Sequence, residues 1–338
     1  MIISRTPYRM SFFGGGTDYP AWYLENGGAV LSTTIDKYCY ITCRYLPHFF
    51  THKHTIVWSH IEATQSIQEI LHPAVKAGLQ YLEFDDSKGI ELHHLGDLPA
   101  RTGTGSSSSF SVGLINALTC LKGETLTKKL LADKALYLEQ EILKENVGSQ
   151  DQVAAAYGGF NLIEFKLGGE IKIAPVAVLD CNIVKELQEN IMMFYISAGR
   201  FAPTIAFDII SNVTKTSSSL HDMTQLVYEA NSLLRSSNLD GFGKLLHEGW
   251  ILKKSLSNKI SNSNIDAIYD TAKRAGALGG KLMGAGGTGF MFFYVPKDKQ
   301  DNVSKALENF IRVKFSFEDK GSHILLDNIN KEEIFVDE

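Results

Sequence analysis

LPARTGTGSSSSFSVGLINAL, residues 98–118, joins two unlike halves: a loop rich in glycine and hydroxyl groups, then an apolar run. Ser107–Leu121 is apolar on most sides, which predicts a buried helix. The first N–H groups of any helix lack intrahelical partners, and with the helix dipole they attract anions. Glycine lacks the Cβ that would keep a phosphate away from the backbone. Serine hydroxyls can donate to phosphate oxygens or ligate a cation. Gly103, Gly105 and Ser106–Ser109 therefore read in two ways: as a phosphate cradle, or as a flexible loop ending in a serine N-cap.

The surroundings narrow the class. At about 100–200 residues per domain, a chain of 338 residues predicts two domains, drawn here as 1–190 and 191–338. The composition, 44% hydrophobic and 21% charged, is that of a soluble globular protein with a sizeable core. A net charge of −5 argues against a nucleic-acid binder driven by bulk charge, though not against a local basic pocket. Cys39, Cys43, Cys120 and Cys181 form no CxxC pair, so reduced thiols in a cytoplasmic protein are expected. The opening MIISRTPYRMSFFGGG holds no long apolar segment, and no run reaches membrane-spanning length, so no membrane association is expected.

The patterning places strands at Ala29–Leu46 and from Gly89 into the glycine-serine loop. It predicts a helix over Ser66–Tyr81, kinked or broken at Pro73, and an amphipathic helix over Leu126–Glu145 with the stripe Leu131, Ala135, Leu138 and Ile142. Phe160–Val178 reads as a hairpin around Gly168-Gly169, followed by a polar segment, DCNIVKELQEN. Beyond it come a strand at Ile191–Ser197 and helices near Pro203–Ile210, Leu220–Ser236, Leu239–Leu256 and Ser263–Ala275. A glycine-rich stretch, Gly276–Gly289, then enters the strand Phe290–Val295. Without strict βαβ alternation the fold class is α+β.

Two further glycine-rich stretches bracket the first. RTPYRMSFFGGGTDY (Arg5–Tyr19) sets two arginines before three glycines; it reads as an anion site or as a surface turn. GAGGTG (Gly284–Gly289) matches GxGxxG, but a helix precedes it and a strand follows, the reverse of a dinucleotide loop. No GxxxxGK[ST] occurs. His48, His52, His54 and His60 lack the spacing and partners of a zinc site.

Taken in order, TPYRMSFFGGGTDY, PARTGTGSSSSFSVG and KLMGAGGTGFMFF resemble the three motifs of the GHMP superfamily of small-molecule kinases. Within it, PARTGTGSSSSFSVGLINAL and VGSQDQVAAAYGGFNLIEF are most similar to the D-glycero-D-manno-heptose 7-phosphate kinases, with fucokinase-type domains as close relatives. The resemblance implies a two-domain fold, ribosomal protein S5 domain 2-like and then ferredoxin-like, that uses ATP and Mg²⁺. It implies that Pro99, Arg101, Thr102, Gly103, Thr104, Gly105, Ser106, Ser107, Ser108 and Ser109 surround the ATP phosphates. Ser106 and Glu139 are the implied Mg²⁺ ligands, Glu141 being the alternative carboxylate. Asp151 falls at the catalytic aspartate, with Arg9 beside it. Gly15, Gly16, Thr17 and Asp18 fall at the sugar, and Gly284, Gly286 and Gly287 at the site floor. Galactokinases carry Glu-His where this chain has Gly15-Gly16, which weakens a galactose assignment and leaves room for a larger sugar. Arg200, Lys253, Lys254 and Lys281 are the candidates for a sugar phosphate, and Trp58 is either an adenine contact or core. The implied reaction phosphorylates the anomeric hydroxyl of the heptose 7-phosphate, in a monomer or homodimer. The alternatives are another anomeric sugar kinase and a catalytically silent sensor.

Overall fold

In the computed structural model, which describes residues 1–176, 181–197, 202–213 and 215–328, the long β-branched and aromatic run of the sequence becomes the spine of the first sheet. Strand β1 (Ile2–Phe13) and helix α1 (Pro20–Asn26) lead into β2 (Gly28–Leu46), which lies antiparallel to β1 with Arg9 opposite Thr34. A small hairpin, β3 (His54–Val57) and β4 (Ile61–Thr64), precedes α2 (Pro73–Tyr81). Pro73 opens that helix instead of kinking it. Its missing N–H and fixed φ suit a first turn, and only a short 3₁₀ turn, Ile67–Glu69, stands before it.

Strand β5 (Gly89–Gly96) enters the glycine-serine loop, and α3 (Ser106–Leu121) leaves it. Twelve of its residues are buried, because the helix runs between the first sheet and its covering helices. Next come α4 (Lys128–Leu136), a π-helical turn Tyr137–Ile142, α5 (Gln150–Tyr157) and the hairpin β6 (Phe160–Phe165) and β7 (Ile171–Pro175). The polar segment expected after it is instead helix α6 (Cys181–Asn190), whose buried Leu187 faces inward. Strand β8 (Ile191–Ser197) and the helices α7 (Ala202–Ser211), α8 (Ser217–Arg235), α9 (Leu239–Ser255) and α10 (Ser263–Ala275) follow. The chain closes with β9 (Gly279–Leu282), β10 (Gly289–Tyr294), α11 (Gln300–Ala306), β11 (Ile311–Val313), β12 (Phe317–Glu318) and β13 (His323–Asp327).

Two sheets result. The larger runs β13-β1-β2-β5-β3-β4, with β6 and β12 also paired to β2 and β7 paired to β6. The smaller is antiparallel, in the order β11-β8-β10-β9. This is the mixed α+β architecture in two units. Residues 317–327, counted with the second unit from sequence, return to the first sheet, where β13 covers the free edge of β1. An edge strand left unpaired would expose a row of backbone donors and acceptors.

Phe12 stands where the two units meet. Its ring centroid lies 5.4 Å from Phe160, 5.5 Å from both Phe242 and Phe292, and 6.2 Å from Phe317. Those rings come from β6, α9, β10 and β12, so one side chain fastens both sheets to a helix of the second unit. Phe12→Ala is expected to cost about 3–5 kcal/mol, checked by urea denaturation.

Candidate active site

Arg9 on β1 points toward the N-terminus of α5. Its Nε donates to Asp151 Oδ1 at 2.7 Å and its Nη2 to Asp151 Oδ2 at 2.8 Å. This is a two-pronged, charge-assisted pair. The remaining guanidinium nitrogen, Nη1, donates to the carbonyl of Gly103, and the backbone N–H of Arg9 donates to Thr104 O at 3.0 Å. The Arg9 side chain is 6% exposed and that of Asp151 23% exposed, so the carboxylate is the partner that reaches the opening.

The glycine-serine loop meets this pair directly. Gly105 is the N-cap of α3, in a left-handed conformation, and no side chain caps the helix. The first-turn donors are therefore not closed by a serine cap. A Cβ on Gly105 would lie 3.2 Å from Arg9 Cγ and 3.3 Å from Asp151 Oδ2, so only glycine fits comfortably. The third glycine-rich loop presses on the same spot. A Cβ on Gly284 would lie 2.4 Å from the Gly103 Cα, and one on Gly103 would lie 2.4 Å from Met283 O. Gly286 and Gly287 sit further along, against Ile260, whose carbonyl accepts from Gly287 N–H at 3.0 Å.

The serines divide. Ser108 Oγ donates to Glu139 Oε2 at 2.9 Å, and Gln152 Nε2 donates to the same oxygen. Ser106 Oγ accepts from the N–H of Arg101 at 3.1 Å, so the structure brings Ser108, not Ser106, to Glu139. Ser109 Oγ donates to Pro7 O at 2.9 Å, and Ser107 is exposed at the helix mouth. Thr102 Oγ1 donates to Pro99 O at 2.7 Å, which shapes the loop, while the buried Thr104 hydroxyl has no partner.

Glu139 is fully buried, and its Oε1 makes no hydrogen bond of good geometry, the nearby Ser111 hydroxyl being poorly aligned to it. Burial pushes its carboxyl up to about 7, against the stabilising hydroxyl of Ser111. Glu141 lies outside, paired with Lys144 at 3.0 Å. An under-bonded carboxylate oxygen beside serine hydroxyls at a helix mouth is a hard-oxygen set that fits Mg²⁺.

Asp18 is buried on the other side of Asp151. Its Oδ1 accepts from Gly16 N–H at 2.9 Å and its Oδ2 from Gln150 Nε2 at 3.0 Å. Burial raises its carboxyl above the usual range, with the Asp151 charge adding to the effect. Gly15 lies next to the Gln150 amide. Thr17 does not face the site: its hydroxyl is bound to Gly14 O at 2.8 Å and Ala29 O at 2.9 Å, holding the turn together.

Of the basic candidates, Arg200 lies outside the described residues. Lys254 is turned away, paired with Asp266 at 3.0 Å. Lys253 and Lys281 are buried toward Arg9, with their ammonium groups on backbone carbonyls. Sequence reasoning passed over Gln150 and Gln152, which flank Asp151 and serve Asp18 and Glu139. Alternate residues at a helix start carry no signal of facing two different carboxylates. Trp58 donates to Glu62 Oε1 at 2.7 Å and packs its ring against His72, which stacks on Phe110 of α3. His54 is bound to Asp86 at 2.9 Å, and among the described residues no three histidine, cysteine or acidic groups gather as a metal would require.

Residues 69–159 match the family model for the GHMP kinases N terminal domain, and residues 230–313 match that for the GHMP kinases C terminal. The chain belongs to the GHMP kinases. A D-glycero-alpha-D-manno-heptose 7-phosphate kinase of Campylobacter jejuni is 29% identical over 90% of this chain and 93% of its own length. An L-fucokinase/L-fucose-1-P guanylyltransferase of Bacteroides fragilis is 27% identical over 90% of this chain, but only 35% of its own length is covered. The crystal structure of a D-glycero-D-manno-heptose 1-phosphate kinase from Bacteroides thetaiotaomicron superposes with a TM-score of 0.80, covering 97% of this chain and 99% of that one at 24% identity. This GHMP kinase is thus a phosphotransferase related to sugar kinases, and ATP is the family's phosphoryl donor. Among the described residues no helix is long and apolar enough to cross a membrane.

Burial pulls the Lys281 ammonium down to about 7, with Arg9 adding repulsion and Asp18 opposing it. The unfolded chain then binds more protons than the folded one between that value and the ordinary lysine range. The contribution of Lys281 to folding stability should therefore rise with pH from 7 to 9. In chemical denaturation across this window, wild type should gain stability relative to Lys281→Met; a constant difference would contradict the shift.

Proposed function

We propose that this GHMP kinase transfers the γ-phosphoryl group of ATP to the anomeric hydroxyl of D-glycero-D-manno-heptose 7-phosphate, giving the 1,7-bisphosphate, in the cytoplasm. The observation that carries this reading is the Arg9–Asp151 pair set against the uncapped start of α3. An anion-binding helix mouth and a positioned carboxylate within one hollow are what phosphoryl transfer to a hydroxyl needs.

In this reading the stretch Pro99–Ser109 wraps the nucleotide phosphates. The N–H groups of the first turn of α3 face the charge, and the glycines allow close approach. Glu139 and the hydroxyls of Ser106 and Ser108 would hold Mg²⁺, which would neutralise charge building between the phosphates. Asp151 accepts and orients the proton of the attacking hydroxyl; a strong base is not required, since positioning dominates. Arg9 fixes the orientation of that carboxylate and sets positive charge next to the transferring group. Asp18, itself held by Gln150 and Gly16, binds sugar hydroxyls. The unit 1–190 supplies the reacting groups, and the unit 191–338 supplies the third glycine loop. Trp58 and His72, beside Phe110, form the adenine side.

The heptose assignment is supported by the name of the Campylobacter relative and by Gly15-Gly16, which stand where galactokinases carry Glu-His. The test is ADP release with Mg²⁺ over a panel of phosphorylated heptoses, free heptose, fucose and galactose. The phosphorylated heptose should be turned over fastest. Preference for an unphosphorylated sugar would indicate another anomeric sugar kinase, and nucleotide binding without turnover of any sugar a sensor. Asp151→Asn should lower kcat by about 10²–10⁴-fold and leave binding of an ATP analogue nearly unchanged. Glu139→Gln should raise the Mg²⁺ concentration needed for half-maximal rate, measured by magnesium titration, with no comparable change in Glu141→Gln.

A further inference from the structure

Three buried basic side chains each grip the carbonyl of a different glycine-rich stretch. Arg9 Nη1 donates to Gly103 O in the second stretch. Lys253 Nζ donates to Gly284 O in the third, and to Leu282 O at 3.2 Å. Lys281 Nζ donates at 3.2 Å to Phe12 O, two residues before the glycines of the first. Both lysines are 4% exposed. Among the described residues neither makes an ion pair, whereas Arg9 has Asp151.

A buried amine without a counter-ion is costly whether it keeps its proton or sheds it, and an apolar side chain would fill the same space more cheaply. The three cations also lie close enough to repel one another. Both lysines are held below their ordinary range by burial and by this repulsion, which Asp18 opposes in both and Asp151 in Lys253. These five groups, from β1, α9, β9, α5 and the turn after β1, are the charged groups that face each other here. Such an arrangement needs a reason beyond packing.

The geometry supplies one. A peptide unit is planar and trans, so a carbonyl turned toward a cation turns the following N–H away from it. Gripping Gly103 O and Gly284 O therefore aims the N–H groups of Thr104 and Ala285 away from Arg9 and Lys253. Lys253 also sets the distance of Gly284 from Gly103, which are in backbone contact. Lys281 acts on the other side, anchoring the end of β1 from which the turn to Asp18 starts.

We propose that Lys253 and Lys281 are positioning residues with separate targets: Lys253 sets the third glycine loop against the nucleotide loop, and Lys281 sets the first loop that presents Asp18 to the acceptor. The inference rests on the kinase reading above. Neither lysine binds the sugar phosphate in it, since both are buried with the ammonium group turned onto backbone carbonyls.

The two roles separate in binding and kinetics. Lys253→Met should weaken binding of a non-hydrolysable ATP analogue with Mg²⁺ by about tenfold or more, read by calorimetry, and change the KM for D-glycero-D-manno-heptose 7-phosphate far less. Lys281→Met should do the reverse. Lys244→Met, at an exposed position of the same helix α9, should move each quantity by less than about twofold. If Lys253→Met does not fold, Lys253→Leu, which likewise removes the N–H donor, is read in the same way. Unchanged analogue affinity in the folded Lys253 variant overturns the proposal, as does an equal loss of both affinities in both lysine variants, the mark of a general packing role. A wild-type protein that binds no ATP analogue overturns the kinase reading itself, and the positioning roles with it.

Discussion

Arg9 ties three parts of the chain together at one point. It sits on the first strand, holds Asp151 by both oxygens, and reaches the Gly103 carbonyl with its third nitrogen. One side chain thereby relates the strand, the start of α5 and the loop that opens α3. Such a buried, forked pair is expensive to desolvate, and removing either partner leaves a charge stranded. Its value is geometric: it fixes where a carboxylate stands relative to a helix N-terminus.

The rest of the hollow follows from how closely backbones approach around that pair. Gly103 and Gly284 touch main chain to main chain, so neither position has room for a side chain. Gly105 turns the chain into α3 with a left-handed conformation and keeps the space next to Asp151 clear. Glycine's conformational cost at these sites is offset by bringing unpaired N–H groups to one point. The aromatic cluster around Phe12 then holds the two sheets at the separation these contacts require.

Much of this was legible in the residues. The long strand Gly28–Leu46 and the buried helix after the serines match the expected elements, whereas GAGGTG follows the strand Gly279–Leu282 and not a helix, so it joins two antiparallel strands. Elsewhere, local pattern was overridden. Pro73 began a helix because the chain before it was free to extend. The segment Cys181–Asn190 looked polar because an amphipathic surface helix shows mostly its wet face. The choice between Glu139 and Glu141 could not be read from a regular helical wheel, because a π-helical turn widens the helix there. The pairing of Ser108, not Ser106, with Glu139 depends on how α3 lies against that turn.

Composition and periodicity were enough to determine the α+β class and a buried helix after the serines, and three motifs, each read within its own run, carried the resemblance to a kinase family. Those features are local: each depends on residue types within a single run of chain. Only the tertiary structure decided that Gln150 and Gln152 serve two different carboxylates, that Glu139 faces inward while Glu141 faces water, and that Lys253 and Lys281 grip loops instead of reaching for a ligand. Most of those outcomes are contacts between residues far apart in sequence, set by how the elements pack; the inward turn of Glu139 belongs also to the π-helical turn.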